Sequence, residues 1–344
     1  MPIQIVRSSR FVPSNINNVG DIIEEFNYYC ALFFPSCKRS TKLFMFCDIL
    51  KEYFRNGAWI NNYFQYGFYG KNHVERADFV TWKKAVSLIY KANGRYTHPV
   101  FREKKQFNEY FAEFVKRDWI HMVNADETAF LEFITKHKTY IEKPNDSQLG
   151  TDIYKKSIDE KTNLQNLFKA YTGKSIILEE NLVACEEFHK LHPCSLNTLR
   201  VTTILNKTGT KATVIAVALK MGMGESIVDN AGAGGLVAEV DLDMGTVLCK
   251  SANYKGETFD FHPDTNAKIK GLKIPVWESV LNMCKTAALR YKDAPLIGWD
   301  VAITGGDGDY TIQLIEGNEN PSFPLLQVSS GKGLVAKINE AINI

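Results

Sequence analysis

The chain has 344 residues, 41 of them Lys or Arg and 39 Asp or Glu, for a formal net charge of +2. That balance excludes a nucleic-acid binder driven by bulk charge, and a hydrophobic fraction of 45% excludes a disordered chain. The length allows one large domain or two to three small ones.

The N-terminal MPIQIVRSSRFVPSN has no apolar h-region, so no signal peptide is expected. Residues 1–100 read as helical. Asp21–Phe34 carries Ile22, Ile23, Phe26, Tyr29 and Phe33 near a 3.6 period. A second helix spans Lys42–Phe54, with Ser40 or Thr41 as its cap and Asn56–Gly57 as its end. A third spans Ala77–Ala92. Between them runs the aromatic string Trp59, Tyr63, Phe64, Tyr66, Phe68 and Tyr69. The acidic residues mixed into it favour aromatic core packing over a basic-aromatic nucleic-acid surface.

Thr97–His98–Pro99 marks a boundary. Charge-rich Glu103–Lys116 and then Thr128–His137 read as helices, with Asp126 or Glu127 near the N-terminus of the latter. Thr139–Pro144 is a short strand, and NDSQLGTD after it is a small-polar loop. A lysine on a strand end, Lys143, with such a loop can hold a triphosphate through its ammonium and the loop N–H groups. A plain surface strand and turn is the competing reading. No Walker P-loop spacing occurs.

Ser175–Leu178 is a short buried strand leading to Glu179–Glu180. A strand entering a polar connector is a place for an adenine slot, where backbone groups read the base edge. A solvated acidic turn is the alternative. From Ser195 to Asp243 the pattern is β, with strands at Leu199–Leu205, Thr213–Leu219 and Leu236–Asp241. The intervening MGMGESIVDNAGAGGL superficially matches a dinucleotide fingerprint, but a strand-like segment and not a helix follows its glycines. A backbone loop brought close to a phosphate or acceptor fits better. Arg200 sits on a strand, where a guanidinium can hold a phosphate or a developing oxyanion; a surface salt bridge is its alternative.

Residues 252–275 read as a polar connector, Trp277–Tyr291 as an amphipathic helix and Leu334–Ile344 as a closing helix. Between the last two, Trp299–Thr304 and Tyr310–Ile315 alternate on either side of the turn run Gly305–Asp309 and form a hairpin. Asp300 is early on its first strand, and Glu316 and Asn318 share a face at the end of its second. Two carboxylates and an amide carbonyl are hard oxygen ligands suited to Mg²⁺ or Mn²⁺ held with substrate phosphates.

Seven scattered cysteines, with no C-x-x-C pair, read as free thiols of a reducing cytoplasm. No segment approaches the roughly 20 apolar residues of a membrane span.

In chain order, SLNTLRVTT, VDNAGAGG, FHPDT with IPVW, and IGWDVAIT with EGNENP resemble the sugar-transfer-associated branch of the ATP-grasp superfamily, related to α-L-glutamate ligases. The likeness is strongest over residues 140–328 and weaker in FRNGAWINNYFQYGFYG and REKKQFNEYFAEFVKRDW. It implies an α+β fold in which two sub-domains clasp ATP, residues 101–180 and 181–344. The helical residues 1–100 form an added module in place of the open α/β domain that begins many such ligases, and this module would select substrate.

The resemblance implies roles for individual residues. Lys143 lies against the nucleotide; Lys104, with Lys105 competing, is the earlier phosphate-contacting lysine. Ser147 and Gly150 belong to the closing loop, which has fewer glycines than in many relatives. Glu179 and Glu180 line the adenine hinge and Glu187 meets the ribose. Asp300, Glu316 and Asn318 hold Mg²⁺, and Arg200 and Asn230 face the γ-phosphate and acceptor. His262 reads as a structural histidine. The implied reaction is ADP-forming ligation of a carboxylate to an amine through an acyl phosphate, one partner being a glycan or sugar acid and the other an amino acid or amine. A sugar-hydroxyl kinase and a non-catalytic nucleotide-binding scaffold are the alternatives.

Overall fold

A computed structural model of the chain describes residues 19–95, 97–147 and 152–343. Five helices open it: α1 (Val19–Phe33), α2 (Arg39–Asn56), α3 (Ile60–Gln65), α4 (His73–Ala77) and α5 (Trp82–Asn93). Helix α2 starts one residue before Ser40, so its N-cap is Lys38 and neither Ser40 nor Thr41 caps it. The third expected helix is split into α4 and α5, with Phe79 and Val80 buried in the break. Phe26, Tyr29, Tyr63, Phe64, Tyr66, Phe68 and Phe79 meet in one buried cluster, so four of the string's six rings are core, while Trp59 is partly buried and Tyr69 exposed.

Helices α6 (Pro99–Arg102) and α7 (Lys104–Tyr110) follow; α7 ends well short of Lys116. A four-stranded antiparallel sheet comes next, in the order β1 (Trp119–His121), β4 (Ile176–Glu180), β2 (Thr139–Pro144), β3 (Tyr154–Ser157). Helices α8 (Glu127–Lys136) and α9 (Leu164–Tyr171) cover one face. Asp126 caps α8, its side chain accepting the Ala129 N–H at 2.8 Å. Strand alternation sends Tyr140 and Leu178 into the core under these helices and leaves Ile141, Lys143 and Glu179 on the opposite face.

After the short helix α10 (Glu186–His189), a seven-stranded antiparallel sheet carries the rest. Its order is β11 (Asp309–Asn318), β10 (Leu296–Gly306), β5 (Thr198–Leu205), β6 (Ala212–Met221), β7 (Leu236–Val240), β8 (Ser251–Ala252), β9 (Thr258–Phe259). Residues 252–275 are therefore not a simple connector, since they add the sheet's edge. Helix α11 (Trp277–Arg290) packs on one face with Leu199, Val201, Val217, Leu219, Trp299 and Val301. Phe107 and Phe111 join this core, so residues 101–180 divide between two cores.

The other face of the large sheet is covered by α5 and by α12 (Phe323–Gln327) and α13 (Val335–Asn343). The helical segment is tied to it by polar groups. Asn93 donates to the carbonyls of Leu296 (2.7 Å) and Glu319 (2.8 Å) and accepts the Leu296 N–H (2.9 Å). Gln327 brackets the Val80 peptide in the same way, accepting its N–H at 2.9 Å and donating to its carbonyl at 3.2 Å. No helix among the described residues is long and apolar enough to cross a membrane.

Candidate active site

A cavity of about 790 Å³ lies between the two sheets and the helical segment. Its floor follows from register. Asp300 on β10 stands opposite Glu316 on β11 and opposite Arg200 on β5, so the three side chains form one row across three strands. Asn318 lies two residues beyond Glu316, opposite Gly298. A β-bulge between Asp300 and Val301 shifts the register just past the row.

The row is heavily charged, and Arg200 and Asp300 in it are buried. Arg200 donates from Nε to Asp300 Oδ1 (2.6 Å) and from Nη2 to Oδ2 (3.1 Å), and from Nη1 to the Pro321 carbonyl (3.0 Å). Lys220 on β6 donates to Asp300 Oδ2 (2.9 Å) and Asp229 Oδ1 (3.2 Å). Asp229 Oδ2 in turn accepts the Thr198 N–H (2.7 Å) and hydroxyl (2.6 Å). Burial alone would raise the Asp300 carboxyl, but the Arg200 and Lys220 charges outweigh it and hold the group well below the usual carboxylate range. Burial works against both cations as well, and their carboxylates more than offset it, leaving Arg200 and Lys220 firmly charged.

Gly298 makes the row possible. A Cβ there would stand 2.9 Å from Arg200 Cδ and 3.0 Å from Pro321 Cα. The arginine crosses the space that any larger residue would fill.

A second charged cluster faces the first. Lys143 on β2 and Arg117 both pair with Glu179 on β4, at 2.5 and 2.9 Å. Arg117 Nη2 also donates to Asn108 Oδ1 (3.0 Å). Burial would raise the Glu179 carboxyl; Arg117 and Lys143 instead bring it down to about 2. The Lys104 ammonium, turned inward at the start of α7, donates to the Ser147 carbonyl (2.5 Å) and Oγ (3.1 Å). Burial first, and then the nearby Lys143 charge, pull Lys104 down to about 8. Lys105 points away and pairs with Glu109 on the helix surface. Arg200 and Lys220 are matched by Asp229 and Asp300, whereas Lys104, Arg117 and Lys143 crowd around Glu179. Glu316 also acts on Lys104 and Lys143, so these three cations share two buried or half-buried carboxylates, an arrangement that favours an added anion.

The sequence-predicted residues are not all brought together. Lys143, Glu179, Glu180, Arg200, Asn230, Asp300, Glu316 and Asn318 line the cavity. Lys104 and Ser147 meet each other but are not among the lining residues, and Gly150 lies outside the described residues. The Glu179 carboxylate is committed to Arg117 and Lys143, which leaves the hinge beyond Glu180 to Asn181, Leu182 and Val183, all on the cavity wall. Glu187 is not on that wall; its Oε1 accepts the Tyr310 hydroxyl at 2.6 Å, so the geometry does not bring it to a ribose in the cavity. Asn230 caps the turn Ala231–Ala233, accepting the Gly232 N–H at 2.9 Å. Gly235 lets that turn close, because a Cβ there would stand 2.8 Å from the Met221 carbonyl. His262 is buried and bonds the Gly222 carbonyl through Nε2 (2.9 Å), a structural placement.

Sequence reading missed Arg117, Lys220 and Asp229. Lys220 carried a signal: it is the one charge in the apolar run Val214–Met221.

The donors fit a hard divalent cation. Glu316 and Asn318 share a face, and the Glu316 Oε1 accepts the Asn318 amide N–H at 3.1 Å, so the amide oxygen is not the atom engaged in this bond. Asp300 stands in the same row, but a cation would share its oxygens with Arg200 and Lys220.

No functionally curated protein matches the sequence. Among solved structures the chain is similar to the ATP-grasp ligase PsnB complexed with a phosphomimetic variant of its minimal precursor, Mg and ADP. That match has 14% identity and a TM-score of 0.40, and covers 70% of this chain but only 56% of that one. It is also similar to N5-carboxyaminoimidazole synthase from Aspergillus clavatus, at 9% identity and a TM-score of 0.38, covering 64% and 45% of the two chains. For D-alanine–D-alanine ligase from Bacillus anthracis the values are 12% and 0.36, covering 70% and 62%. The model of the sugar-transfer associated ATP-grasp family matches residues 83–343, most of the chain and all of both sheets, and the chain belongs to that family.

Proposed function

We propose that the protein is an ATP-dependent, ADP-forming carboxylate–amine ligase that acts through an acyl phosphate, with a glycan or sugar acid as one partner and an amino acid or amine as the other. The observation that carries the reading is the pairing of a cation excess at Lys104, Arg117 and Lys143 with the Glu316–Asp300–Arg200 row across one cavity.

Lys104 and Lys143 neutralise the phosphates of ATP, and the loop at Ser147 closes over them. The adenine edge meets backbone groups of the hinge after Glu180. The substrate carboxylate attacks the γ-phosphorus, the bond to the β-bridging oxygen breaks, and ADP leaves. The amine then attacks the acyl carbon, loses a proton, and phosphate departs with the C–O bond. Among the described residues, Arg200 spends three of its five N–H groups on Asp300 and Pro321; the other two are held ready for the transferring phosphoryl or the acyl oxyanion. Mg²⁺, when bound by Glu316 and Asn318 with Asp300, supplies charge neutralisation on the phosphates. No side-chain nucleophile is required, because the enzyme's part is positioning and electrostatics.

The test is release of ADP and phosphate from Mg-ATP with pools of uronic acids and amino acids, added singly and together. Release of both products only when both pools are present supports the ligase. ADP without free phosphate identifies a kinase and overturns it.

A further inference from the structure

The cavity is divided by charge. Its sheet side carries Arg117, Lys143, Arg200, Lys220, Asp300 and Glu316, whereas no described lining residue between positions 53 and 97 is charged. That second side is built by the helical segment, most of which precedes the family match. Its polar groups are carboxamides and hydroxyls, among them Asn61 and Gln65, and its apolar groups are chiefly aromatic.

Helix α5 has two working faces. Leu88 and Ala92 pack onto the large sheet. Trp82, Val86 and Tyr90, at i, i+4 and i+8, line the cavity. Trp82 is 40% exposed and Tyr90 37%, large rings left uncovered on the cavity side of the helix. Trp59 stands beside Trp82, ring centroids 6.5 Å apart and planes 53° to one another, so the indoles form an open V. The Trp59 ring is fixed by its Nε1, which donates to Glu25 Oε2 at 2.9 Å. The Trp82 backbone N–H is held by Asn62 Oδ1 at 2.9 Å, whatever side chain occupies the position.

An uncharged wall of this kind penalises a charged ligand and offers π faces to weakly positive C–H groups. A pyranose ring has the matching chemistry: a C–H face to lie on an indole and equatorial hydroxyls around its rim for carboxamides to bond. The wall and the charged half line one cavity, so a molecule seated on the wall can extend its other end toward Arg200. We propose that Trp82 and Trp59 form a platform for a neutral pyranose unit of the acceptor, placing the reacting carboxylate or amine in the charged half. This rests on the ligase reading for the role of that reacting end. The platform makes the helical segment the specificity-determining part of the site.

The test uses the full-length protein on an array of disaccharides that join a neutral pyranose to a uronic acid or an amino sugar, with Mg-ATP affinity measured in parallel. Wild type is expected to retain a subset of the glycosides. Trp82→Ala and, as an independent variant on the same helix face, Tyr90→Ala should each weaken that retention by roughly tenfold or more. Trp82→Tyr should recover part of it, and Mg-ATP affinity should stay unchanged in all. Wild type that binds Mg-ATP but no glycoside overturns the platform, as does full retention by both alanine variants. Wild type that fails to bind Mg-ATP overturns the ATP-site reading instead.

Discussion

Arg200 and Asp300 face each other across β5 and β10, and the guanidinium gives each carboxylate oxygen a hydrogen bond, at 2.6 and 3.1 Å. One hundred residues separate them in sequence, and strand register alone sets them side by side. With Lys220 and Asp229 they form a charge-balanced buried quartet, and this quartet fixes the arginine's position in the cavity.

Removing the Asp300 charge leaves Arg200 without its paired carboxylate and Lys220 with Asp229 alone. Asp300→Asn is expected to cost about 3–5 kcal/mol of stability, read as a lower urea midpoint, and to abolish turnover. A midpoint within experimental error of wild type would show that the quartet is not held by this carboxylate.

Glu316 is only half-buried and its carboxylate carries little of the fold, so Glu316→Gln should leave the melting temperature nearly unchanged. Its effect belongs to the cation: Mg²⁺-dependent turnover should fall by more than about tenfold. Near-normal turnover at limiting Mg²⁺ would remove Glu316 from the ligand set.

Gly298→Ala places a methyl against Arg200 Cδ and Pro321. Overpacking of this kind costs about 1–3 kcal/mol. Because the arginine is displaced while Lys104 and Lys143 are untouched, kcat should drop with KM for ATP little altered. A change confined to KM for ATP would place Arg200 elsewhere in the cycle.

Much of this geometry was legible in the sequence. Period-2 alternation gives the hairpin and puts Glu316 and Asn318 on one face, and Gly232–Gly235 followed by a strand excludes a Rossmann turn. The partners of those residues were not legible. Arg200 reads equally as a surface salt bridge until β5 is placed beside β10. Glu187 looks available for a ribose until α10 packs against the β10–β11 hairpin and the Tyr310 hydroxyl donates to its carboxylate. The docking of the helical segment depends on contacts such as Asn93 with Leu296, over two hundred residues apart, which no local pattern encodes.

That docking makes its own prediction. Asn93→Ala removes three hydrogen bonds and leaves buried peptide groups of Leu296 unpaired, at a cost of about 2–4 kcal/mol. Proteolysis should then release the helical segment more readily than in wild type. Unchanged protection would mean that the apolar contacts of α5 hold it alone.

Lys104 makes the site pH-dependent. Its folded value is about 8 against an ordinary 10.5, so between these values the folded protein binds fewer protons than the unfolded chain. Stability therefore gains from this group as pH rises through that window, the reverse of a lysine with an added partner. Bound phosphate favours the charged form, so Mg-ATP binding above pH 8 should take up a proton and weaken as pH rises. Calorimetry in buffers of different ionisation enthalpy reads that uptake, which Lys104→Met should eliminate; an equal uptake in the variant would assign it to another group.

The acyl phosphate is the centre of the account, and oxygen transfer tests it most directly. A carboxylate that supports ADP release is enriched in ¹⁸O and turned over with Mg-ATP and an amine, and the phosphate product is weighed by mass spectrometry. Ligation through an acyl phosphate carries one labelled oxygen from each carboxylate to phosphate. Phosphate without label, formed at the same rate as ADP, would contradict it.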